Sequence, residues 1–132
     1  MTVLDASAMI AYLRNEAGAE IVTSYLLDDQ SECVAHAVNV MEVYYDFLRT
    51  GDAEIANSAI ESLLGDGLTI REDMDADIWK DAAALKVSYK LSVADTFCIA
   101  LARRLKCDVL TSDHHEMNAL VNLGICDIRF IR

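Results

Sequence analysis

A chain of 132 residues with 54% hydrophobic content and a net charge of −11 is long enough to bury one sizeable core and too acidic to coat nucleic acid in general. No apolar run approaches the ~18 residues of a membrane span, and the opening Met1-Thr-Val-Leu-Asp5 lacks the basic region that begins a secretory signal. We therefore expect one domain over residues 1–132, soluble and cytoplasmic. Its four cysteines (Cys33, Cys98, Cys107, Cys126) contain no C-x-x-C and are expected to be reduced and structural.

Thr2–Leu4 reads as a short strand that ends at Asp5. Ala6–Leu13 reads as a helix through Met9, Ile10 and Leu13, and after Gly18 a second amphipathic helix runs over Ala19–Leu27. Cys33–Ala35 is a β-like run. Val38–Arg49 is a helix carrying Met41, Val43, Tyr44, Phe47 and Leu48, stopped at Gly51, because glycine past the last periodic residue ends a helix. Asp52 caps a further helix that reaches Gly65, and Leu68–Ile70 is a third strand. Asp75–Tyr89 is helical through Ile78, Trp79, Ala82 and Leu85. Residues 92–105 form a helix that is apolar almost all round until Arg103, the mark of burial on most sides. Asp108–Thr111 is a fourth strand, His114–Leu120 a short helix and Asp127–Ile131 the last strand.

Short apolar strands that alternate with helices predict an α/β fold with a parallel sheet covered on both faces. In such sheets ligands bind beyond the carboxyl ends of the strands, which is where Asp5 and Asp113 fall. Most other acids, such as Asp28-Asp29 and Glu72-Asp73, lie on hydrophilic stretches and read as solvated faces. Asp5, Glu42, Asp95 and Asp113 are set among apolar residues, where an ionised carboxylate is costly unless compensated. Helix capping is one compensation. Ser92-x-x-Asp95 has the form of a capping box and Asn39-x-x-Glu42 a looser one, while Asp5 and Asp113 can each cap the helix that follows. A divalent cation is the other. If the four acids converge, repulsion raises some of their pKa values, and an all-carboxylate site favours Mg²⁺ or Mn²⁺. The natural chemistry of such a site is attack of an activated water on a phosphodiester, so an acidic chain is compatible with a nuclease.

Val3-Leu-Asp5-Ala-Ser7, Asn39-Val-Met-Glu42, Leu91-Ser-Val-Ala-Asp95 and Leu110-Thr-Ser112-Asp113, in that order, resemble the PIN-domain family, and more closely its VapC-type toxin ribonucleases. The resemblance spans the whole chain. It implies a three-layer α/β/α sandwich with a mostly parallel five-stranded sheet, and a Mg²⁺- or Mn²⁺-dependent endoribonuclease acting on RNA. It places the family's acids on Asp5, Glu42, Asp95 and Asp113, with Asp5, Asp95 and Asp113 toward metal. Ser7, Asn39 and Ser112 are then supporting residues, and Glu116 falls where many members carry a further acid. The same resemblance implies a small antitoxin as partner and a homodimer. The surplus of large apolar residues (Met9, Ile10, Tyr12, Leu13, Tyr44, Tyr45, Phe47) points to a homodimer too, because unburied apolar area marks interfaces.

Other readings of the residues are weaker. A receiver-like phosphate acceptor wants an acidic pair after its first strand, and a haloacid-dehalogenase-like phosphatase wants Asp-x-Asp, whereas this chain has Asp5-Ala-Ser7. The non-enzymatic alternative is a silent PIN fold that binds protein or RNA. His114 and His115 point about 100° apart on a helix, so both cannot easily face one ion, and they read as surface residues. His36 reads as structural.

Overall fold

The computed structural model describes all of residues 1–132. Its strands are β1 (Thr2–Leu4), β2 (Cys33–His36), β3 (Leu68–Arg71), β4 (Asp108–Thr111) and β5 (Ile128–Phe130). Its helices are α1 (Ala6–Leu13), α2 (Ala19–Leu26), α3 (Ala37–Thr50), α4 (Ala53–Gly65), α5 (Ala76–Ser88), α6 (Val93–Leu105) and α7 (His114–Met117), which runs into a 3₁₀ turn at Asn118–Leu120. The predicted last helix is therefore one turn of α-helix and one of 3₁₀. No helix is long and apolar enough to cross a membrane.

The five strands are all parallel, in the order β3-β2-β1-β4-β5. Successive side chains of a strand point to opposite faces, and here that alternation divides the core in two. Val3, Val34 and Val109 face one cluster with Ile78 and Leu85 of α5 and Ile99 and Leu101 of α6. Leu4, Ala35 and Leu110 face the other with Met9 of α1, Val22 of α2, Val43 of α3 and Leu63 of α4. This is the expected α/β/α sandwich. The largest buried side chains, Ile99 and Leu101 among them, contribute about 1.5–3 kcal/mol each by leaving water.

From β1 the chain moves outward to β2 and β3, then returns across β1 to β4. The carboxyl ends of β1 and β4 therefore flank the switch point, where open parallel sheets form their crevice. Gly18 closes the fold against the carboxyl end of β5. It has φ +94, and a Cβ there would meet the Ile131 carbonyl oxygen at 2.5 Å, so only glycine lets the α1–α2 turn approach the end of β5.

Cap residues fix the angles at which α1, α3 and α6 leave the sheet. Asp5 caps α1 by accepting from the Ala8 N–H at 2.9 Å. Ser92 caps α6 by accepting from the Asp95 N–H at 3.1 Å. The cap of α3 differs from the expected one. His36 takes it, its Nδ1 accepting from the Val38 N–H at 3.1 Å. With Nδ1 an acceptor, Nε2 carries the proton and donates to the Asp73 carbonyl at 2.8 Å. The buried imidazole also stacks on Phe97 of α6, ring centroids 4.9 Å apart. Asn39 is thus inside the helix rather than at its cap. It is fully buried, and its Nδ2 donates to the Ala94 carbonyl at 2.7 Å, tying α3 to the first turn of α6.

The apolar surplus on α1 and α3 goes mostly into the second cluster. Met9 is buried, and Ile10, Tyr12, Leu13 and Phe47 pack half-buried against it. Of the residues that suggested an interface, Tyr45 alone is exposed.

Candidate metal centre

One cleft of about 350 Å³ opens over the switch point, and its lining brings Asp5, Glu42, Asp95, Asp113 and Glu116 together with Asp46. Ser7 and Ser92 share the wall. Asn39 and Ser112 stand behind it rather than in it. No lysine or arginine lines the cleft.

Asp5 is 1% exposed and held from three sides. Its Oδ1 accepts from the Ser7 hydroxyl at 2.7 Å and from the Ala8 N–H, and its Oδ2 accepts from the Thr111 hydroxyl. Burial pushes its carboxyl up to about 6, although these bonds pull the other way. A carboxylate has about four acceptor sites, so one remains for a ligand. Thr111 is a residue the sequence reading missed in favour of its neighbour Ser112. The Thr111 hydroxyl also accepts from the Asp113 N–H at 2.9 Å, so it joins the two acids that follow β1 and β4. Ser112 takes part through its backbone, donating to the Ser7 hydroxyl at 2.9 Å. The available signal was position: Thr111 is the last residue of β4 and 0% exposed, and a hydroxyl so buried needs partners.

Asp113 caps α7, its Oδ1 accepting from the Glu116 N–H at 3.1 Å. Glu116 reaches back to α6, where its Oε2 accepts from the Ser92 N–H at 3.1 Å. The Ser92-x-x-Asp95 box is therefore half filled from outside, and the Asp95 carboxyl is left free to face the cleft. Carboxylate oxygens of Asp95, Asp113 and Glu116 lie within 4.8 Å of one another. Asp5 lies outside that trio, so Glu116 takes the place that the resemblance gave to Asp5 among the closest oxygens. Burial raises the Asp95 carboxyl far above the ordinary carboxylate range, and its hydrogen bond with Glu116 raises it further. The Glu116 carboxyl is lowered by the same bond. The opposite shifts describe one proton between the two, which we assign to Asp95 because Asp95 is the more buried partner. Glu42 is half-buried and caps nothing; desolvation and then the charges of Asp5, Glu116 and Asp113 raise its pKa.

The donor set fits a hard divalent cation. It is all oxygen, as Mg²⁺ and Mn²⁺ prefer, and it comprises like charges that cannot all ionise without a counter-charge. Capping and metal binding are compatible at Asp113, because the cap uses one oxygen and leaves the other. The Oδ1 of the buried Asn39 has no protein hydrogen-bond partner.

The His114 and His115 side chains are not part of the trio. His114 stacks on Phe130 with centroids 3.9 Å apart and bonds the Arg132 carbonyl at 2.7 Å through Nε2, so it fastens β5 to α7. The isosteric change Thr111→Val removes one bond to Asp5 and strands the Asp113 N–H. We expect a stability loss of about 1–3 kcal/mol and metal affinity or activity lower by about 10–100-fold, with Thr111→Ser close to the parent. Denaturant unfolding and metal titration of the three proteins check both.

A PIN domain model matches residues 2–120. No curated protein sequence matches the chain. Among solved structures, the chain is similar to VapBC2 from Rickettsia felis bound to a promoter DNA fragment, at 13% identity and TM-score 0.78 over 98% of this chain and 97% of that one. It is similar to a toxin–antitoxin complex from Klebsiella pneumoniae, at 14% identity and TM-score 0.74 over 100% and 98%. It is also similar to VapC20 of Mycobacterium tuberculosis, a sarcin-ricin loop cleaving toxin, at 15% identity and TM-score 0.72 over 90% and 95%. At these identities the structures establish a shared fold, and the model match over residues 2–120 establishes more: the chain belongs to the PIN-domain family.

Proposed function

We propose that this protein is a metal-dependent endoribonuclease that hydrolyses RNA phosphodiester bonds with water, and that it is the toxin of a type II toxin–antitoxin pair. The observation that carries the reading is the trio of Asp95, Asp113 and Glu116 oxygens within 4.8 Å, set beside Asp5 at the switch point. Asp95, Asp113 and Glu116 would hold Mg²⁺ or Mn²⁺, with Asp5 adjoining through its remaining acceptor site. Such an ion supplies Lewis-acid stabilisation of phosphate charge and lowers the pKa of a water.

The chain's own residues do the rest. Thr111, Ser7 and the Ala8 N–H fix the Asp5 carboxylate in one orientation, which spares reorganisation when charge develops. Glu42 projects from the second turn of α3 into the same cleft. Its raised pKa makes it a proton acceptor tuned toward neutrality, the property general bases need. Glu116 fixes the α6 start through Ser92, so the Asp95 carboxyl is placed by two elements.

The partner proposals follow from charge and exposed surface. A cleft lined by acids and empty of cations suits an inhibitor that inserts an arginine, whose planar fork satisfies two carboxylate oxygens at once. That fits a small antitoxin. Met41, Leu48, Ile55 and Leu64 remain exposed on α3 and α4, and exposed apolar area of this kind supports a homodimer, which light scattering at micromolar concentration reads directly. The cytoplasm is where such a pair would act.

The test is cleavage of a panel of structured RNAs by purified protein with Mg²⁺, with Mn²⁺ and with chelator. Cleavage that needs metal and stops with chelator is the expected result. Absence of cleavage under every metal condition, or cleavage that ignores chelator, removes the reading and leaves a silent PIN fold.

A further inference from the structure

The outer wall of the cleft is one stripe of α3. Glu42, Tyr45, Asp46 and Arg49 stand at i, i+3, i+4 and i+7, so they share a helix face, and the stripe extends over about 10 Å along the axis. Glu42, Tyr45 and Asp46 line the cleft itself. Tyr45 joins neither core cluster and is 59% exposed. One turn on, the Arg49 guanidinium lies 5.9 Å from the Tyr45 ring centroid.

The charge of this corner differs from that of its surroundings. Asp46 is paired with Arg49 at 2.8 Å and with Arg14 at 2.9 Å. Two guanidinium groups share one carboxylate, which leaves the corner one positive charge in excess beside a cleft of acids. The Arg49 side chain is 57% exposed. Of its five N–H donors, the ion pair uses those on one terminal nitrogen, so others face solvent. An exposed aromatic face next to outward guanidinium donors is the combination that holds an unpaired nucleotide. The base stacks on the ring and the backbone phosphate meets the cation.

We propose that Tyr45 and Arg49 form the substrate-holding rim of the cleft, where the ring takes an unstacked base and the guanidinium its backbone phosphate. A base inside a duplex cannot present its face to a ring on the side wall of the cleft, whereas an unstacked base beside the scissile phosphate can. Arg49, with Arg14 behind it, then holds the phosphate of the adjoining nucleotide away from the acids. The inference rests on the ribonuclease reading and adds the residues of this chain that hold the substrate.

The test uses binding in the Asp5→Asn background with Mn²⁺ present, read by fluorescence anisotropy of a labelled single-stranded oligonucleotide and of the same sequence closed into a duplex. Light scattering of each variant accompanies it, as does cleavage by the protein with Asp5 intact, with and without Tyr45→Ala. The expected result is tighter binding of the single strand, a loss of about 5- to 150-fold on Tyr45→Ala, and recovery of most of that loss with Tyr45→Phe, which keeps the ring. Arg49→Ala should weaken binding and lower the salt slope by about one. Tyr45→Ala that binds the single strand as tightly as its parent overturns the proposal, as does a preference for duplex. So does a dimer that falls apart on Tyr45→Ala while single-strand binding stays intact, because the ring then belongs to a protein interface. RNA cleavage that proceeds without regard to Tyr45 rejects the rim alone. Neither binding nor cleavage of any RNA rejects the rim and the ribonuclease reading together.

Discussion

Replacing Asp5 by asparagine should abolish RNA cleavage while making the metal-free protein more stable. The carboxyl is buried and pushed up to about 6 from an ordinary 3.8. A folded-state pKa above the unfolded one means that folding favours the protonated form. The Asp5 contribution to the stability of the metal-free protein is therefore fully present below about pH 4, is lost as pH rises from there through about 6, and does not return above it. Two pKa units correspond to about 3 kcal/mol, and that is the upper bound on what Asp5→Asn restores at neutral pH. The amide is isosteric. Its oxygen can still accept from Ala8 and Ser7, and its NH₂ can donate to the Thr111 oxygen. Asp95→Asn should behave alike, since burial and then Glu116 raise its pKa. Both variants should lose cleavage by several orders of magnitude, because a neutral amide at either position cannot help neutralise the ion, and at Asp95 it also breaks the trio. Thermal melts at pH 4 and 7.5 in chelator, with parallel cleavage assays, check the pair of effects. A variant that cuts RNA at near parental rate takes that residue out of the chemistry.

Metal binding should release protons. In the metal-free state Asp95 keeps the proton that it shares with Glu116, because burial and the hydrogen bond both favour the neutral form. Ligands bind as carboxylates, so Mn²⁺ must displace that proton. Calorimetric titration in buffers of different ionisation enthalpy should show release of about one proton per ion at pH 7. Affinity should rise with pH up to the point where Asp95 is already ionised in the free protein. Asp95→Asn should remove the proton release together with most of the affinity. Release that is absent in the parent, or unchanged in Asp95→Asn, places the proton elsewhere.

How far the sequence showed this arrangement varies from residue to residue. The parallel sheet was legible because each strand is a short apolar run and the long gaps between them carry helical periods. Asp5 and Asp113 were legible for a related reason: an acid directly after a buried strand stands at the end of the sheet. The choice between cap and site was open in the sequence, and the geometry explains why. Asp5 and Asp113 each cap a helix through Oδ1 and line the cleft as well.

Three features were hidden. The cap of α3 moved to His36, because an imidazole Nδ1 can do what the usual hydroxyl or carboxylate does, and Asn39 was thereby freed to hold Ala94 from 55 residues away. Thr111 and Ser112 look interchangeable on paper. Only the pleat, which turns Thr111 inward toward Asp5, separates them. The closeness of Glu116 to Asp95 depends on how α7 docks against α6, a tertiary fact that no local pattern encodes. The apolar surplus on α1 and α3 misled in one respect: most of it fills the second core cluster, and of the residues left outside, Tyr45 borders the cleft.

The proposed function requires a carboxylate-held ion that activates water against an RNA phosphate. The most direct measurement is cleavage of a defined RNA in ¹⁸O-labelled water with Mn²⁺, analysed by mass spectrometry of the new ends. The expected result is a terminal phosphate that carries one ¹⁸O from solvent, a free hydroxyl on the other fragment, and no product in chelator or with Asp95→Asn. Unlabelled 2′,3′-cyclic phosphate ends, or the same labelled products from the chelated protein, would contradict it.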